Sequence, residues 1–378
     1  MPDPILIAVA NATNLREGAA GVEALVREIV RAGNIRLADA ARGARLPLPV
    51  ATAIRRELEK RDLLKRQQGL ALSDEGMIWT REDLGLGEPL KLQIPLQPLH
   101  PLPAPLAGAE AALAAVLAQA PSTDVTLDQA PCTAETAVRR AALLYQSGAL
   151  EGRRIILIGD DDSVSVACGL LGKLVAGRPL ARRIMVVDID PRRLAFINAC
   201  AKQHGLQIET QVHDLRQPLP QELLGSFDTF ITDPPYTLDG AKLFLSRGIE
   251  AIAAGRGQAL FSFGHTAPVQ RIALQAAMAE LGLAVTSLYP GFNSYSGASI
   301  LGSTSELYEL LVHAKPSVHE QYAGPLYTAD ANPKLSKYRC LSCKKKWTLG
   351  QQAIPATIAQ LKGTGCPHCG GKKFDRAS

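Results

Sequence analysis

Aspartates recur in this sequence where a parallel sheet would bind a ligand. Four apolar segments that have the pattern of successive strands end at Gly159-Asp160-Asp161-Asp162, Asp188-Ile189-Asp190, Asp214 and Asp233-Pro234-Pro235-Tyr236. In open parallel sheets the ligand lies at the carboxyl ends of the strands. One acid at a strand end often only caps the next helix, but four acidic ends exceed what capping predicts. The pattern therefore predicts a site in which carboxylates contact the ligand.

The acids after the second and third strands indicate an adenosyl ligand. Asp188, with Asp190 two residues later, ends the second strand, where an acid usually accepts hydrogen bonds from ribose hydroxyls. Asp214 ends the third strand and is predicted to lie beside the adenine. These residues leave the tail of the ligand unspecified.

The loop after the first strand indicates the charge of that tail. A dinucleotide or S-adenosylmethionine site favours glycines here, because backbone N–H groups must approach an anion. This chain has Gly159 and then three aspartates. At a dielectric constant near 20, one pair of unit charges at about 4 Å is worth about 4 kcal/mol before desolvation. The loop, with Gly159 and Asp160 against the ligand, therefore favours decarboxylated S-adenosylmethionine, whose aminopropyl ammonium it would attract. The alternative is that the triplet only caps the following helix.

The segment Asp233-Pro234-Pro235-Tyr236 could orient an amine nucleophile. The Asp233 carboxylate and the Pro234 carbonyl can accept N–H bonds and direct the nitrogen lone pair at a sulfonium carbon. Tyr236 could stack on a flat base or pack a cation against its face. The same motif is well known in methyltransferases that act on exocyclic amino groups of bases. Taken alone, it indicates a nucleic-acid N-methyltransferase.

Two Cys-x-x-Cys pairs near the C-terminus have metal-ligand spacing. The four cysteines, Cys340, Cys343, Cys366 and Cys369, are separated as pairs by residues 344–365. This is the signature of a zinc ribbon with four thiolate ligands. A structural Zn²⁺ would then provide most of the folding free energy of so small a unit.

Charge is unevenly distributed along the chain. Residues 331–378 hold ten Lys/Arg and one acid, a net +9, whereas the other residues hold 31 Lys/Arg and 35 acids, a net −4. A basic tail suits a polyanion, and an acidic body suits a cation. No apolar run approaches the ~18–20 residues that cross a bilayer, so no membrane partner is expected. Metal-type cysteine spacing indicates a reducing compartment, and we expect a cytoplasmic protein.

Length and pattern divide the 378 residues into four parts. We predict a winged-helix-like domain over 1–85, a proline-rich linker and short helix over 86–120, a catalytic domain over 121–330 and the zinc ribbon over 331–378. The linker prolines, down to residue 105, exclude a helix or a central strand. The third helix of the first domain, from Pro49, carries mixed charges, so DNA binding and a docking or dimerisation role both stay open.

The catalytic domain is predicted to be an α/β, doubly wound Rossmann domain of the methyltransferase type. Seven apolar strand candidates alternate with helices near 164–176, 191–204, 240–253 and 268–281. The last two strands are joined by the Gly/Ser/Asn-rich segment 290–305, which predicts an antiparallel hairpin at one edge of the sheet. The strand candidates are 155–158, 184–187, 207–212, 227–232, 258–262, 283–288 and 307–312.

Several of these segments together resemble one known family. They are Leu127-Asp-Gln-Ala-Pro-Cys-Thr-Ala-Glu-Thr136, Val138-Arg-Arg-Ala141, the Gly159 loop, Val187-Asp-Ile-Asp190, Phe227-Asp-Thr-Phe-Ile-Thr-Asp-Pro-Pro235, Arg247-Gly-Ile249 and Phe292-Asn-Ser-Tyr295. The chain resembles the branched-chain polyamine synthases, the N4-bis(aminopropyl)spermidine synthases. The likeness covers roughly residues 120–300 closely and the N-terminal part in outline.

The resemblance implies an aminopropyltransferase. Two aminopropyl groups would pass from decarboxylated S-adenosylmethionine to the secondary N4 amine of spermidine. Asp161 would be the catalytic carboxylate that orients or deprotonates the amine, assisted by Asp233. Asp160, Asp162 and Asp233 would hold ammonium groups, and Gln129 and Glu135 of the first motif would contact substrate. The chain departs from the family pattern at Tyr236, where members have Glu, and in its basic ribbon, where members have an acidic tail.

Two other functions compete with this one. An S-adenosylmethionine-dependent N-methyltransferase on a nucleic-acid base would use Asp233–Tyr236 and the basic tail. A non-catalytic regulator would bind nucleic acid through the ribbon or the winged helix, with a steep salt dependence. The leading hypothesis is a polyamine aminopropyltransferase, expected to form a homo-oligomer and most simply a dimer.

Overall fold

The protein is described from a computed structural model that covers residues 3–15, 18–44, 46–66, 69–87, 102–253, 257–264, 267–296, 304–313, 321–324, 326–327, 336–349 and 358–377. Most of the predicted proline linker, residues 88–101, lies outside the described residues. No helix within these ranges is both long and apolar enough to cross a bilayer.

The N-terminal unit packs five helices and a hairpin around one apolar core. The elements are α1 (Pro4–Ala12), α2 (Gly18–Ala32), α3 (Leu37–Gly43), α4 (Leu48–Glu59), β1 (Leu64–Arg66), β2 (Leu70–Leu72) and α5 (Asp74–Glu82). Helices α2, α3 and α4 followed by the β1–β2 hairpin are the order of elements in a winged helix, and the winged-helix assignment stays a prediction. Helix α1 was not predicted from the sequence. Asp3 caps its start by accepting hydrogen bonds from the Ile5 and Leu6 N–H groups.

Three cations of α4 and its C-terminal flank are paired with acids of the helix. Lys60 and Arg61 contact Glu57 at 2.6 and 2.7 Å, and Arg55 lies 3.8 Å from Glu59. Helix α4 therefore does not present a one-sidedly basic face.

The linker ends earlier than predicted. Helix α6 spans Ala104–Leu117 and includes Pro105 in its first turn. Proline is tolerated there because the first N–H groups of a helix have no intrahelical partner. The prediction that the linker prolines exclude a helix as far as residue 105 was therefore wrong at Pro105.

Seven strands form the central sheet, in the order β5-β4-β3-β6-β7-β9-β8. The first five along this order are parallel, and β9 is antiparallel to both β7 and β8. This confirms the doubly wound Rossmann sheet and its antiparallel edge hairpin. The strands are β3 (Arg154–Ile158), β4 (Arg183–Asp188), β5 (Glu209–Val212), β6 (Thr229–Thr232), β7 (Gly257–Gly264), β8 (Leu283–Ser294) and β9 (Thr304–Val312).

Helices cover both faces of this sheet. Alternate residues of β3 point to opposite faces: Ile155 and Leu157 join one core, and Ile156 and Ile158 join the other. Helix α8 ends at Leu171 and continues as a π-helical turn over Gly172–Ala176, within the predicted helix 164–176. The remaining helices of this domain are α7 (Ala134–Gln146), α9 (Pro191–His204), α10 (Leu238–Ala251) and α11 (Pro268–Glu280).

The C-terminal segment forms a separate three-stranded antiparallel sheet in the order β11-β10-β12. Strand β10 (Ser336–Cys340) pairs with β11 (Lys346–Leu349) on one side and with β12 (Phe374–Ala377) on the other. A short helix, α12 (Ile358–Thr364), precedes the second cysteine pair. This is the architecture expected for the ribbon.

Candidate active site and metal centre

A cavity lies at the carboxyl ends of β3, β4 and β6, where the sequence predicts the ligand. Acids from all three strand ends border it: Asp161, Asp188 and Asp233. The other lining residues are Leu127, Asp128, Gln129, Gly159, Ile189, Leu215, Pro235, Phe244 and Tyr327. Parallel strands converge at this edge, so acids that are distant in sequence meet there.

Asp160 holds the start of helix α8. Its carboxylate accepts hydrogen bonds from the Val164 N–H at 2.7 Å and from the Ser165 N–H and hydroxyl at 3.2 and 2.5 Å. Burial raises the pKa of Asp160 to about 7 against these hydrogen bonds. The sequence left open that all three aspartates only cap this helix. In the structure, capping accounts for the contacts of Asp160 alone.

Asp162 and Asp233 share one buried cation. The guanidinium of Arg140, which is 1% exposed, donates to both carboxylates, reaching Asp233 at 3.0 Å. The Arg140 Nε donates to the Asn293 side-chain oxygen at 2.8 Å, and the second Asp162 oxygen accepts the Cys132 N–H at 2.5 Å. Burial raises the pKa of Asp233 to about 6, with Asp162 adding to the rise and Arg140 opposing it. Arg140 therefore neutralises two of the clustered acids.

Asp161 is held differently from its two neighbours. Among the described residues, its carboxylate accepts one hydrogen bond, from the Ala130 N–H to Oδ2 at 2.9 Å. Burial raises the pKa of Asp161 well above its ordinary value, and the charges of Asp162 and Asp233 raise it further. Asp161 is the member of the triplet that borders the cavity without an ion pair to Arg140.

Two tyrosine hydroxyls extend the network from Asp233. Tyr295 donates to the Asp233 carboxylate at 2.6 Å, and Tyr236 donates to the Tyr295 hydroxyl oxygen at 2.8 Å. The Tyr236 ring packs edge-on against Phe263, with the ring centres 5.4 Å apart. Tyr236 and Pro234 are outside the residues that line the cavity, whereas Pro235 lines it.

The predicted nucleoside acids separate into three environments. Asp188 borders the cavity and accepts the Asp190 and Asp160 N–H groups at 2.8 and 3.1 Å. Asp190 accepts hydrogen bonds from Arg192 at 2.7 Å and from the Gln129 amide at 3.0 Å, and the Arg192 hydrogen bond is the main cause that lowers its pKa to about 2. Asp214 pairs with Arg216 at 2.7 Å and is outside the cavity lining, beside Leu215.

The two residues of the first motif also separate. Gln129 lines the cavity and bridges to Asp190, as a substrate- or ligand-facing residue would. Glu135 lies 3.8 Å from Arg139 on helix α7 and is outside the cavity lining. The Arg139 guanidinium in turn covers the Phe292 ring at 4.6 Å. Glu135 is thus not brought to the acids.

The sequence left the roles of several of these residues unassigned. Arg140 belongs to a segment that carries the family resemblance, but no role was predicted for it, and the structure buries it beside the acids. The Arg-Arg pair on one helix was the available signal, because a buried acid cluster requires a cation. Tyr327, Leu215 and Phe244 carry no motif, and only the fold brings them to the cavity.

The four ribbon cysteines meet at one point. Their Sγ atoms all lie within 4.8 Å of one another, and Cys340–Cys369 and Cys343–Cys366 are each 3.6 Å apart. Tetrahedral Zn²⁺ with bonds of about 2.3 Å to sulfur separates its ligands by about 3.8 Å. The thiolate set and its spacing therefore fit a closed, structural metal site.

Comparison with known proteins gives a consistent family. The family described as the Branched-chain polyamine synthase A C-terminal domain matches residues 111–332. An uncharacterized protein of Methanocaldococcus jannaschii is 36% identical over 378 residues, which cover 97% of this chain and 90% of that protein. The N(4)-bis(aminopropyl)spermidine synthase of Thermococcus kodakarensis is 39% identical over 200 residues, 50% of this chain and 53% of the synthase. The chain thus aligns with about half the length of that named synthase.

A solved structure extends the likeness to most of the chain. The branched-chain polyamine synthase of Thermus thermophilus, in complex with N4-aminopropylspermidine and 5′-methylthioadenosine, superposes with a TM-score of 0.53 at 27% identity. The superposition covers 86% of this chain and 98% of that one.

Proposed function

This chain belongs to the branched-chain polyamine synthase family, and on that premise we propose that it transfers aminopropyl groups from decarboxylated S-adenosylmethionine to a secondary amine of spermidine or a related polyamine. The products would be a branched polyamine and 5′-methylthioadenosine. The observation that carries the proposal is the contrast among the clustered acids: Arg140 neutralises Asp162 and Asp233, and Asp161 borders the cavity outside that pairing.

Asp161 is proposed to act on the attacking amine. A secondary amine is largely protonated at neutral pH, and this ammonium must lose one proton before the nitrogen lone pair can attack. An adjacent carboxylate can orient the nitrogen and accept that proton. The neutral nitrogen attacks the aminopropyl carbon bonded to the sulfonium sulfur. The C–N bond forms as the C–S bond breaks, the sulfur takes the electron pair, and the product nitrogen keeps its remaining proton as a tertiary ammonium. Asp233 would assist from the carboxyl end of the neighbouring parallel strand β6, since both acids line the cavity.

The neighbouring acids are proposed to bind the remaining cations. Asp160 has hydrogen-bond partners within the protein, so it would act through its charge more than through direct contact. Asp162 would act by sharing Arg140 with Asp233. Pro235 rather than Pro234 faces the ligand, and Tyr236 would act on substrate indirectly, through Tyr295 and Asp233. A carboxylated donor tail would be repelled by this set.

The adenosyl group is proposed to lie against Gly159, Asp188 and Gln129, which line the same cavity. Asp188 would accept from the ribose hydroxyls, because each carboxylate oxygen has more than one acceptor site. Asp190 would position Gln129 through their 3.0 Å hydrogen bond, and Asp214 would lie at the outer edge by the adenine.

Base N-methylation, the competing function, finds less support at this site. It would use the Tyr236 face to stack a flipped base. That ring instead packs against Phe263, and its hydroxyl bonds to Tyr295. We also propose that the ribbon cysteines hold a structural Zn²⁺ with no part in the reaction.

Product analysis by mass spectrometry tests the proposed activity. The purified protein with decarboxylated S-adenosylmethionine and spermidine should give a product heavier by one and then two aminopropyl groups. Asp161→Asn should slow turnover about 10²–10⁴-fold, the range for loss of a general base. Asp239→Asn, at an exposed acid of α10, is the matched control and should stay active. Methylated nucleic acid from S-adenosylmethionine, without any aminopropyl product, would contradict the proposal.

A further inference from the structure

Five exposed lysines surround the first knuckle of the ribbon and have no role in the proposed reaction. Two are consecutive residues that precede β12, and three follow the first cysteine pair. The set, here called the knuckle lysines, is Lys344, Lys345, Lys346, Lys372 and Lys373.

Backbone hydrogen bonds bring the two runs of lysines to one place. The Cys340 N–H donates to the Lys345 carbonyl at 2.9 Å, and the Leu341 N–H donates to the Lys373 carbonyl at 3.0 Å. The Lys344 N–H donates back to the Cys340 carbonyl at 2.9 Å. Residues far apart in sequence therefore flank the same dipeptide, and the cluster is a product of the fold rather than of a charge run.

Little acid surrounds the knuckle lysines within the ribbon. Asp375 is the one acidic residue in the sequence from 331 to 378. It forms an ion pair with Arg339 at 2.7 Å across β10 and β12. Even with the charge of −2 that four thiolates and Zn²⁺ would add, five lysines leave a net positive knuckle. Leu341, 42% exposed, lies within this surface.

We propose that the knuckle lysines bind the phosphate backbone of nucleic acid. A duplex carries one phosphate charge per ~1.7 Å of helix axis, so a compact cluster of cations can meet several phosphates at once. Lysine ammonium groups contact phosphates as point charges without reading bases, so the binding is independent of sequence. At helix α4, the alternative nucleic-acid surface, three cations are paired with Glu57 and Glu59.

The proposal is independent of the aminopropyl chemistry. The lysines lie in the ribbon, and the acids lie at the ends of the Rossmann strands. Nucleic-acid binding could therefore hold whether or not the proposed reaction is correct. In this proposal the basic ribbon binds a polyanion, nucleic acid, and the acidic cavity binds a cation, the polyamine.

Fluorescence anisotropy with a labelled random-sequence DNA duplex tests this inference. The full-length, zinc-loaded protein should bind, and the logarithm of its affinity should fall linearly with the logarithm of salt concentration. Each phosphate neutralised contributes about −0.9 to that slope. Lys344→Gln with Lys345→Gln, and separately Lys372→Gln with Lys373→Gln, should each make the slope shallower by about 1.8.

The matched control replaces two exposed lysines of the catalytic domain, Lys202→Gln with Lys242→Gln, and should leave the slope unchanged. Zinc content and circular dichroism should match the wild type in all three double variants. An unchanged slope in both knuckle variants would overturn the proposal. So would equal affinity for poly-glutamate and the duplex, since that would indicate an acidic protein partner instead.

Discussion

The acidic cavity and the basic ribbon of this protein hold their charges in opposite ways. Beside the cavity, Asp160, Asp162 and Arg140 are each at most 3% exposed, and each has hydrogen-bond partners within the protein. In the ribbon, the knuckle lysines are exposed to solvent. A buried charge depends on its partner, whereas solvated charges act nearly independently. One substitution should therefore disturb the cavity strongly, and the ribbon should respond in small, additive steps.

Removal of the zinc proposed for the ribbon should have the largest effect, and it should affect the ribbon without affecting the cavity. Structural Zn²⁺ in small domains contributes an apparent ~10–16 kcal/mol of folding free energy at pH 7. Chelation, or Cys340→Ala, should unfold the ribbon and abolish duplex binding. The Rossmann core is built by other residues, so aminopropyl transfer should continue. Zinc analysis and activity on the same sample provide the measurement. Loss of activity in step with zinc would contradict the separation of the two regions.

Removal of the buried cation is the next largest effect. Arg140→Gln leaves Asp162 and Asp233 without their shared partner, and breaking a buried ion pair costs about 3–5 kcal/mol. Chemical denaturation should show that loss in the free energy of unfolding.

If the role of Arg140 were purely structural, Arg140→Gln would change only the free energy of unfolding. The pH profile of turnover should also change in Arg140→Gln, because the pKa of Asp233 would rise further without Arg140. Arg140→Lys should restore part of both quantities. An unchanged pH profile in Arg140→Gln would restrict Arg140 to a structural role.

Proton release on binding is the smallest of these effects. Burial, with the repulsion between neighbouring acids, raises the pKa of Asp161 and raises that of Asp233 to about 6. A bound ammonium favours the ionised carboxylates and lowers both pKa values. Spermidine binding near pH 6 should therefore release protons, and affinity should weaken as pH falls through this range.

Calorimetry in two buffers of different ionisation enthalpy measures that release. Asp161→Asn should reduce it, while Asp239→Asn, an exposed acid, should not. Proton uptake on spermidine binding would contradict the assignment of these carboxylates to the cation.

Much of this fold follows from local sequence, and much of the site does not. The strands and their acidic ends were predictable because apolar segments, helix periodicity and the strand-end rule are all local or topological. The direction of each aspartate was not. Asp160 turns to cap α8, and Asp162 turns to Arg140, which arrives from a helix that precedes the sheet in sequence. Glu135 shares a motif with Gln129, yet helix α7 places it beside Arg139.

The departure at Tyr236 shows the same limit. Its type permitted base stacking or a cation contact, and packing against Phe263 decided against direct contact with the cavity. Helix α1 was missed because its apolar run is short, and its buried residues pack into the N-terminal core. Tertiary packing, rather than residue type, fixed each of these outcomes.

The proposed function depends on the acids at the strand ends, which should select a donor with a cationic tail. Calorimetric titration with S-adenosylmethionine and with its decarboxylated form, side by side on the wild-type protein, tests it most directly. We expect the decarboxylated donor to bind about tenfold more tightly or better, a difference of about 1.4 kcal/mol in binding free energy. The preference should be smaller in Asp161→Asn. Tighter binding of the carboxylated donor would contradict the account and favour a methyltransferase.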